Sequence, residues 1–233
     1  MVKEGSFLLL NITGRVKDTG GLIETTLEEE AKKSNEYDPS RKYEPRLIIV
    51  GEGLLLKAIE DKLKEVEVGQ KLELELSPEQ AFGFRDANKV RLVPLRKFGD
   101  KANELSPGDR VEVDNKIGIV KNIGSGRVQI DFNHPLAGKT LSYQVEVLRE
   151  IVEENEKVKA LIKRRLPLEE SKIEFELQDE LRIRIPENLF LLEGLQIIKK
   201  AIANDVFKYL PNLKKVSFIE SFEAPKKEEG KST

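Results

Sequence analysis

The stretch "DFNHPLAGKTLSYQVEVL" (131–148) decides how the chain is read. It opens on turn chemistry, with Asn133, Pro135 and Gly138 in close succession, and ends in alternating apolar and polar residues, the period of a half-buried strand. A long strand is therefore fed by an irregular connection. The chain's single histidine, His134, lies in that connection. No second histidine, cysteine or adjoining carboxylate accompanies it, so a ligand or general-base role is not expected of it.

Upstream of this stretch, "KVRLVPLRKF", "DRVEVDNKIGIV" and "GRVQIDF" are β-rich pieces separated by "ELSPGD" and "NIGSG", which predicts a small all-β module over 87–130. Earlier still, "SFLLLNITGRV" and "GGLIETT" predict a hairpin turning at Lys17–Gly21, followed by a polar, helix-prone excursion, "LEEEAKKS". "RLIIVGEG" predicts a strand that feeds a short helix with Leu55, Leu56, Ile59 and Leu63 on one face. Its Gly-x-Gly turn lacks the further glycine and the Lys-Ser/Thr that a phosphate-binding loop requires. "KLELEL" adds a strand that Ser77-Pro78 stops. Segments 1–86 and 131–152 can then share one sheet, with 87–130 inserted between them.

Downstream, "ENEKVKALIKRRLP" predicts a charged helix ended by Pro167. "KIEFEL" and "LRIRI" alternate and predict a hairpin across Gln178-Asp179-Glu180. Asn188 has the chemistry of a helix cap, and Leu192, Leu195, Ile198, Ile202 and Val206 form one stripe on the helix it would start. "LKKVSFIESF" closes a β-β-α-β module within 153–223, and the tail 224–233 has no apolar content to bury and is expected to be disordered.

A chain of 233 residues suits two or three such modules. Lys and Arg (40) nearly cancel Asp and Glu (42), leaving no field of one sign, so nucleic acid is not an expected partner. No apolar run approaches a membrane span or a secretory core, so a cytoplasmic protein without membrane contact is expected. With no cysteine and one histidine, disulfides, thiol catalysis and the common metal sites are excluded, and neither metal nor cofactor is expected. The missing Cys and Trp and the dense mixed charge suit a hot habitat.

Four stretches in order, "GGLIETT", "VGEGLLLKAIEDKLKEVEVGQKLELEL", "PEQAFGF" and "DFNHPLAGKTLSYQVEVL", resemble the FKBP-type peptidyl-prolyl cis-trans isomerases, in their SlyD-like and long archaeal branch. The resemblance covers about residues 1–150, and 156–233 look like the extra domain of the long members. It implies an α+β fold: an antiparallel half-barrel wrapped on a short helix (1–86 and 131–152), an inserted chaperone or flap domain (87–130) and a C-terminal β-β-α-β domain. The histidine-rich metal-binding tail of many SlyD-like proteins has no counterpart here.

The resemblance implies an apolar pocket and no acid-base constellation. Carried over motif by motif, the pocket falls on Ile12, Ile23, Glu24 and Arg46, on Leu55 and Leu56 at the helix entrance, on Ile59 at the floor, and on Phe82 and Tyr143 as walls. Leu56 is expected to offer its backbone N–H to a substrate carbonyl. By periodicity alone Ile12, Ile23, Leu55 and Ile59 are equally ordinary core residues, and Glu24 equally a solvated carboxylate. Three positions depart from the family: Phe82 stands in "AFG" where "AYG" is usual, Ile12 where tyrosine is frequent, and Arg46 near a normally apolar position. Lost polar handles imply weak isomerase activity.

In relatives the inserted domain holds clients on an apolar surface, which implies such a role for Val90, Leu92, Val93, Leu95 and Phe98, unless they fill the module's own core. The expected partners are unfolded or partly folded proline-containing polypeptides. A homodimer through the open sheet edge of the C-terminal domain is a further expectation. Two functions remain open: an isomerase with client-holding chaperone activity, or a holdase whose isomerase pocket has decayed.

Overall fold

The computed structural model describes residues 2–222, and the expected disorder of 224–233 lies outside them. The elements run β1 (Phe7–Val16), β2 (Leu22–Thr25), α1 (Glu28–Lys33), β3 (Arg46–Ile49), α2 (Lys57–Leu63) and β4 (Lys71–Leu76). Then come β5 (Val90–Pro94), β6 (Arg110–Val113), β7 (Lys116–Gly124) and β8 (Arg127–Asp131), followed by β9 (Leu141–Ile151). The chain continues through α3 (Glu154–Arg165), β10 (Glu174–Leu177), β11 (Leu181–Arg184), α4 (Leu195–Tyr209) and β12 (Val216–Ile219).

The spine of the first sheet is the pair β1 and β9, antiparallel from Phe7↔Ile151 to Val16↔Leu141. On its other edge β1 pairs β3 through its first half and β2 through its second, while β4 extends the sheet beyond β9. Alternation along β1 and β9 sends Leu8, Leu10, Ile12, Val145 and Val147 into a core that Ile59 and Leu63 of α2 complete. A short helix thus lies against a curved antiparallel sheet.

The segment between β4 and β9 forms its own four-stranded sheet, β5-β8-β7-β6, around Val93, Val113, Val120, Val128 and Ile130. The C-terminal sheet, β10-β11-β12, pairs β11 with β12 in parallel, and α4 makes the crossover. Its core is not closed on itself. Phe7, Ile49 and Ile151 of the first sheet lie in one apolar cluster with Val158, Leu161 and Ile162 of α3, Ile183 of β11 and Ile202 and Val206 of α4. Phe7 meets Tyr209 edge-on, with centroids 5.2 Å apart.

One helix starts later than its sequence predicts. Asn188 caps no helix: it lies inside a single 3-10 turn, Glu187–Leu189, that follows Pro186, and α4 begins only at Leu195 behind Gly194. Gly194, at φ +76°, takes a left-handed conformation that a continuous right-handed helix cannot contain, and Leu191 is left 98% exposed. Leu192 therefore lies outside the helix it was expected to join. Among the described residues no helix is long and apolar enough to cross a membrane.

Candidate active site

One row across the sheet organises the site. Gly14 of β1 is the register partner of both Glu24 in β2 and Tyr143 in β9. A Cβ at position 14 would lie 2.5 Å from Cε1 and 2.7 Å from Cζ of Tyr143, so glycine is what lets this ring occupy the space beside β1. The Tyr143 hydroxyl then donates to Glu24 Oε1 at 3.2 Å, and Arg46 Nη1 pairs with Glu24 Oε2 at 2.8 Å. Burial, reinforced by the Glu24 carboxylate, pushes the Tyr143 phenol well above its ordinary range, which keeps it a protonated donor.

This row alters the reading of the departures. Ile12 supplies no hydroxyl, yet Tyr143 brings one to Glu24 from the neighbouring strand. Arg46 makes a charge-assisted bond to the same carboxylate. Tyr143 was expected as a wall; with 2% exposure it is part of the floor, together with the sealed Ile12 and Ile59.

Above that floor, Ile23, Leu55, Leu56 and Phe82 are half-buried and pack on it, as does Leu136. The helix entrance is held by a residue that sequence reasoning passed over. Glu60, 6% exposed, accepts hydrogen bonds from the N–H groups of Leu54 (2.7 Å), Leu55 (3.2 Å) and Gly51 (3.2 Å). The next amide, Leu56 N–H, donates to no acceptor among the described residues. A signal was present: position 60 lies four residues after Leu56 and three before Leu63, on the inward side of α2.

Phe82 follows a 3-10 turn, Pro78–Gln80, with a reciprocal Ser77–Gln80 capping box, and precedes Gly83 at φ +74°. The Gly83 carbonyl accepts from Gly138 N–H at 2.8 Å, which brings the "FNHPLAG" connection alongside. His134 lies flat on Phe82, with centroids 4.1 Å apart and planes 4° apart. Its Nδ1 accepts from Leu136 N–H at 3.2 Å. The lone histidine does shape the backbone, but it also covers one face of a site residue.

The same connection joins the inserted module. Asn133 acts like a strand residue opposite Asp86: its Oδ1 accepts from Asp86 N–H (2.9 Å) and its Nδ2 donates to the Asp86 carbonyl (3.0 Å). Buried Asp131 braces it, accepting from Asn133 N–H and Nδ2 and pairing with Arg85. Of the expected client residues, Val93 belongs to the module's core at 7% exposure, which withdraws it from any client surface. Leu95 and Phe98 are half-buried against that core, Val90 is half-buried, and Leu92 points outward at 59% exposure. The split arises because Leu92 and Val93 face opposite sides of β5.

Comparisons with known proteins align with this geometry. A probable FKBP-type 16 kDa peptidyl-prolyl cis-trans isomerase of Pseudomonas fluorescens is 38% identical over 109 residues, 45% of this chain and 71% of that protein. A short-type peptidyl-prolyl cis-trans isomerase of Methanocaldococcus jannaschii is 31% identical over 147 residues, 63% of this chain and 92% of the relative. The chain belongs to the FKBP-type peptidyl-prolyl cis-trans isomerases. The SlyD protein of Helicobacter pylori, also FKBP-type, is 31% identical over 140 residues, 57% of this chain and 74% of that one. Within this FKBP-type isomerase, residues 91–136 match the family description "FKBP26, IF domain" and residues 154–223 match "FKBP26_C-terminal".

Proposed function

We propose that prolyl peptides are isomerised on the half-exposed face formed by Ile23, Leu55, Leu56 and Phe82, and that the inserted module holds unfolded or partly folded proline-containing polypeptides beside it. Rotation about a peptide bond faces about 18–20 kcal/mol because resonance stiffens C–N. The twisted bond has less resonance and a smaller dipole, so an apolar surface binds it better than it binds the planar form. No acid, base or nucleophile is required.

The observation that carries this reading is the unengaged Leu56 N–H beside that apolar face, at a loop fixed by Glu60. A bound carbonyl oxygen is the acceptor it lacks. Turnover is expected to be weak, because Phe82 has no hydroxyl and one face of its ring lies under His134. Leu92, exposed on β5, supports the holding role.

The test is isomerisation of a proline tetrapeptide by the native protein and by Phe82→Tyr. Restoring one neutral hydrogen bond is worth about 0.5–1.5 kcal/mol, so turnover should rise several-fold, to about tenfold at most. No turnover in either protein, with refolding clients still held, would replace the enzyme reading by that of a holdase with a decayed pocket.

A further inference from the structure

A cavity of about 530 Å³ opens at the seam between the first sheet and α3, a volume that suits a small ligand. Leu9, Leu47, Ile151 and Ala160 give it an apolar floor. Its rim carries seven basic residues against three acidic ones. Two of those acids are engaged, Glu44 with Lys163 at 2.9 Å and Glu156 with Arg149 at 2.6 Å. Lys159 and Arg164, five residues apart at the two edges of the α3 face that lines the cavity, make no direct ion pair among the described residues, although Arg164 lies near enough to Glu52 to help lower its pKa. Arg46 lines the cavity too, while its guanidinium holds Glu24.

Like charges gathered over an apolar floor repel one another, and an anion relieves that repulsion. A bare inorganic anion would leave the floor wet. We infer that this cavity binds an amphipathic anion, a carboxylate or phosphate head on a short apolar chain, with the head at Lys159 and Arg164 and the chain on Leu9, Leu47 and Ile151. Because Arg46 borders both this cavity and the Glu24–Tyr143 pair, occupancy draws on the same guanidinium that fixes Glu24. The ligand therefore modulates isomerisation. That coupling rests on the active-site reading above; the binding itself does not.

The experiment is a calorimetric titration of the full chain with octyl phosphate, octanoate, inorganic phosphate and 1-octanol, read without any isomerase assay. The two amphipathic anions should bind at a single site, roughly tenfold or more tighter than either inorganic phosphate or the uncharged alcohol, and more weakly as salt is raised. Lys159→Glu with Arg164→Glu should weaken them by about tenfold or more while unliganded prolyl turnover stays unchanged. Lys159→Gln with Arg164→Gln, which disturbs α3 less, should act in the same direction. No saturable binding, equal binding of 1-octanol, or an affinity unaltered in both double variants would overturn the site. Bound ligand that leaves tetrapeptide turnover unchanged would overturn the coupling through Arg46.

Discussion

The two appendages of the isomerase sheet are attached in opposite ways. The C-terminal module shares its apolar core with the sheet, through Phe7, Ile49 and Ile151. The inserted module keeps a separate core and joins the sheet through two irregular connecting segments, 77–89 and 132–140, tied by Asn133, Asp86, Asp131 and Arg85. A shared core resists relative motion, because separating its halves exposes apolar surface; a polar tie of a few hydrogen bonds yields at much lower cost. The difference makes separating the C-terminal module from the sheet costlier than separating the insert.

The largest effect that could break this comparison is truncation. A chain ending at residue 153 uncovers Phe7, Ile49 and Ile151, each worth about 1.5–3 kcal/mol when buried, a loss comparable with the whole stability of many domains. Such a chain should aggregate or unfold without a cooperative transition in calorimetry. A soluble, sharply melting product would mean that the shared core contributes little.

Asn133→Ala sharpens the other half. It removes both bonds to Asp86 and the Nδ2 bond to Asp131, at an expected cost of about 1–3 kcal/mol confined to the two connecting segments. Hydrogen exchange at the Asp86 amide should then accelerate by about tenfold or more, with β1 and β9 unaffected. Uniform acceleration through both sheets would show that the insert is not separately hinged.

Tyr143→Phe gives the smallest effect and separates the site row from both appendages. The folded state holds the Tyr143 phenol above its unfolded value, so its contribution is complete below about pH 10 and is lost as pH rises further. Native protein should therefore lose more stability than Tyr143→Phe between about pH 10 and 11.5, as read by urea midpoints. Parallel curves would mean that the phenol is not held in its neutral form.

The strands were legible because alternation is a local signal: β1, β4, β9, β10 and β11 follow from pattern alone. The row Glu24–Gly14–Tyr143 was not, since it joins residues more than a hundred positions apart through register. Glu60 was hidden by the habit of leaving glutamate at the surface, although its place on α2 points inward. Val93 and Leu92 are neighbours in sequence with opposite fates, decided by which side of the β5-β8-β7-β6 sheet carries the core of Val113, Val120, Val128 and Ile130. The fusion of two cores across Phe7 and Ile151 has no sequence signature at all, because an apolar strand end looks the same whichever module covers it.

The most direct measurement replaces 88–130 by a short glycine-serine link and compares tetrapeptide isomerisation with proline-limited refolding of a whole protein. A division of labour between a fixed isomerase face and a hinged holding module predicts peptide turnover within about twofold of native and refolding catalysis lowered by about tenfold or more. Equal loss of both activities, or refolding left untouched, would contradict it.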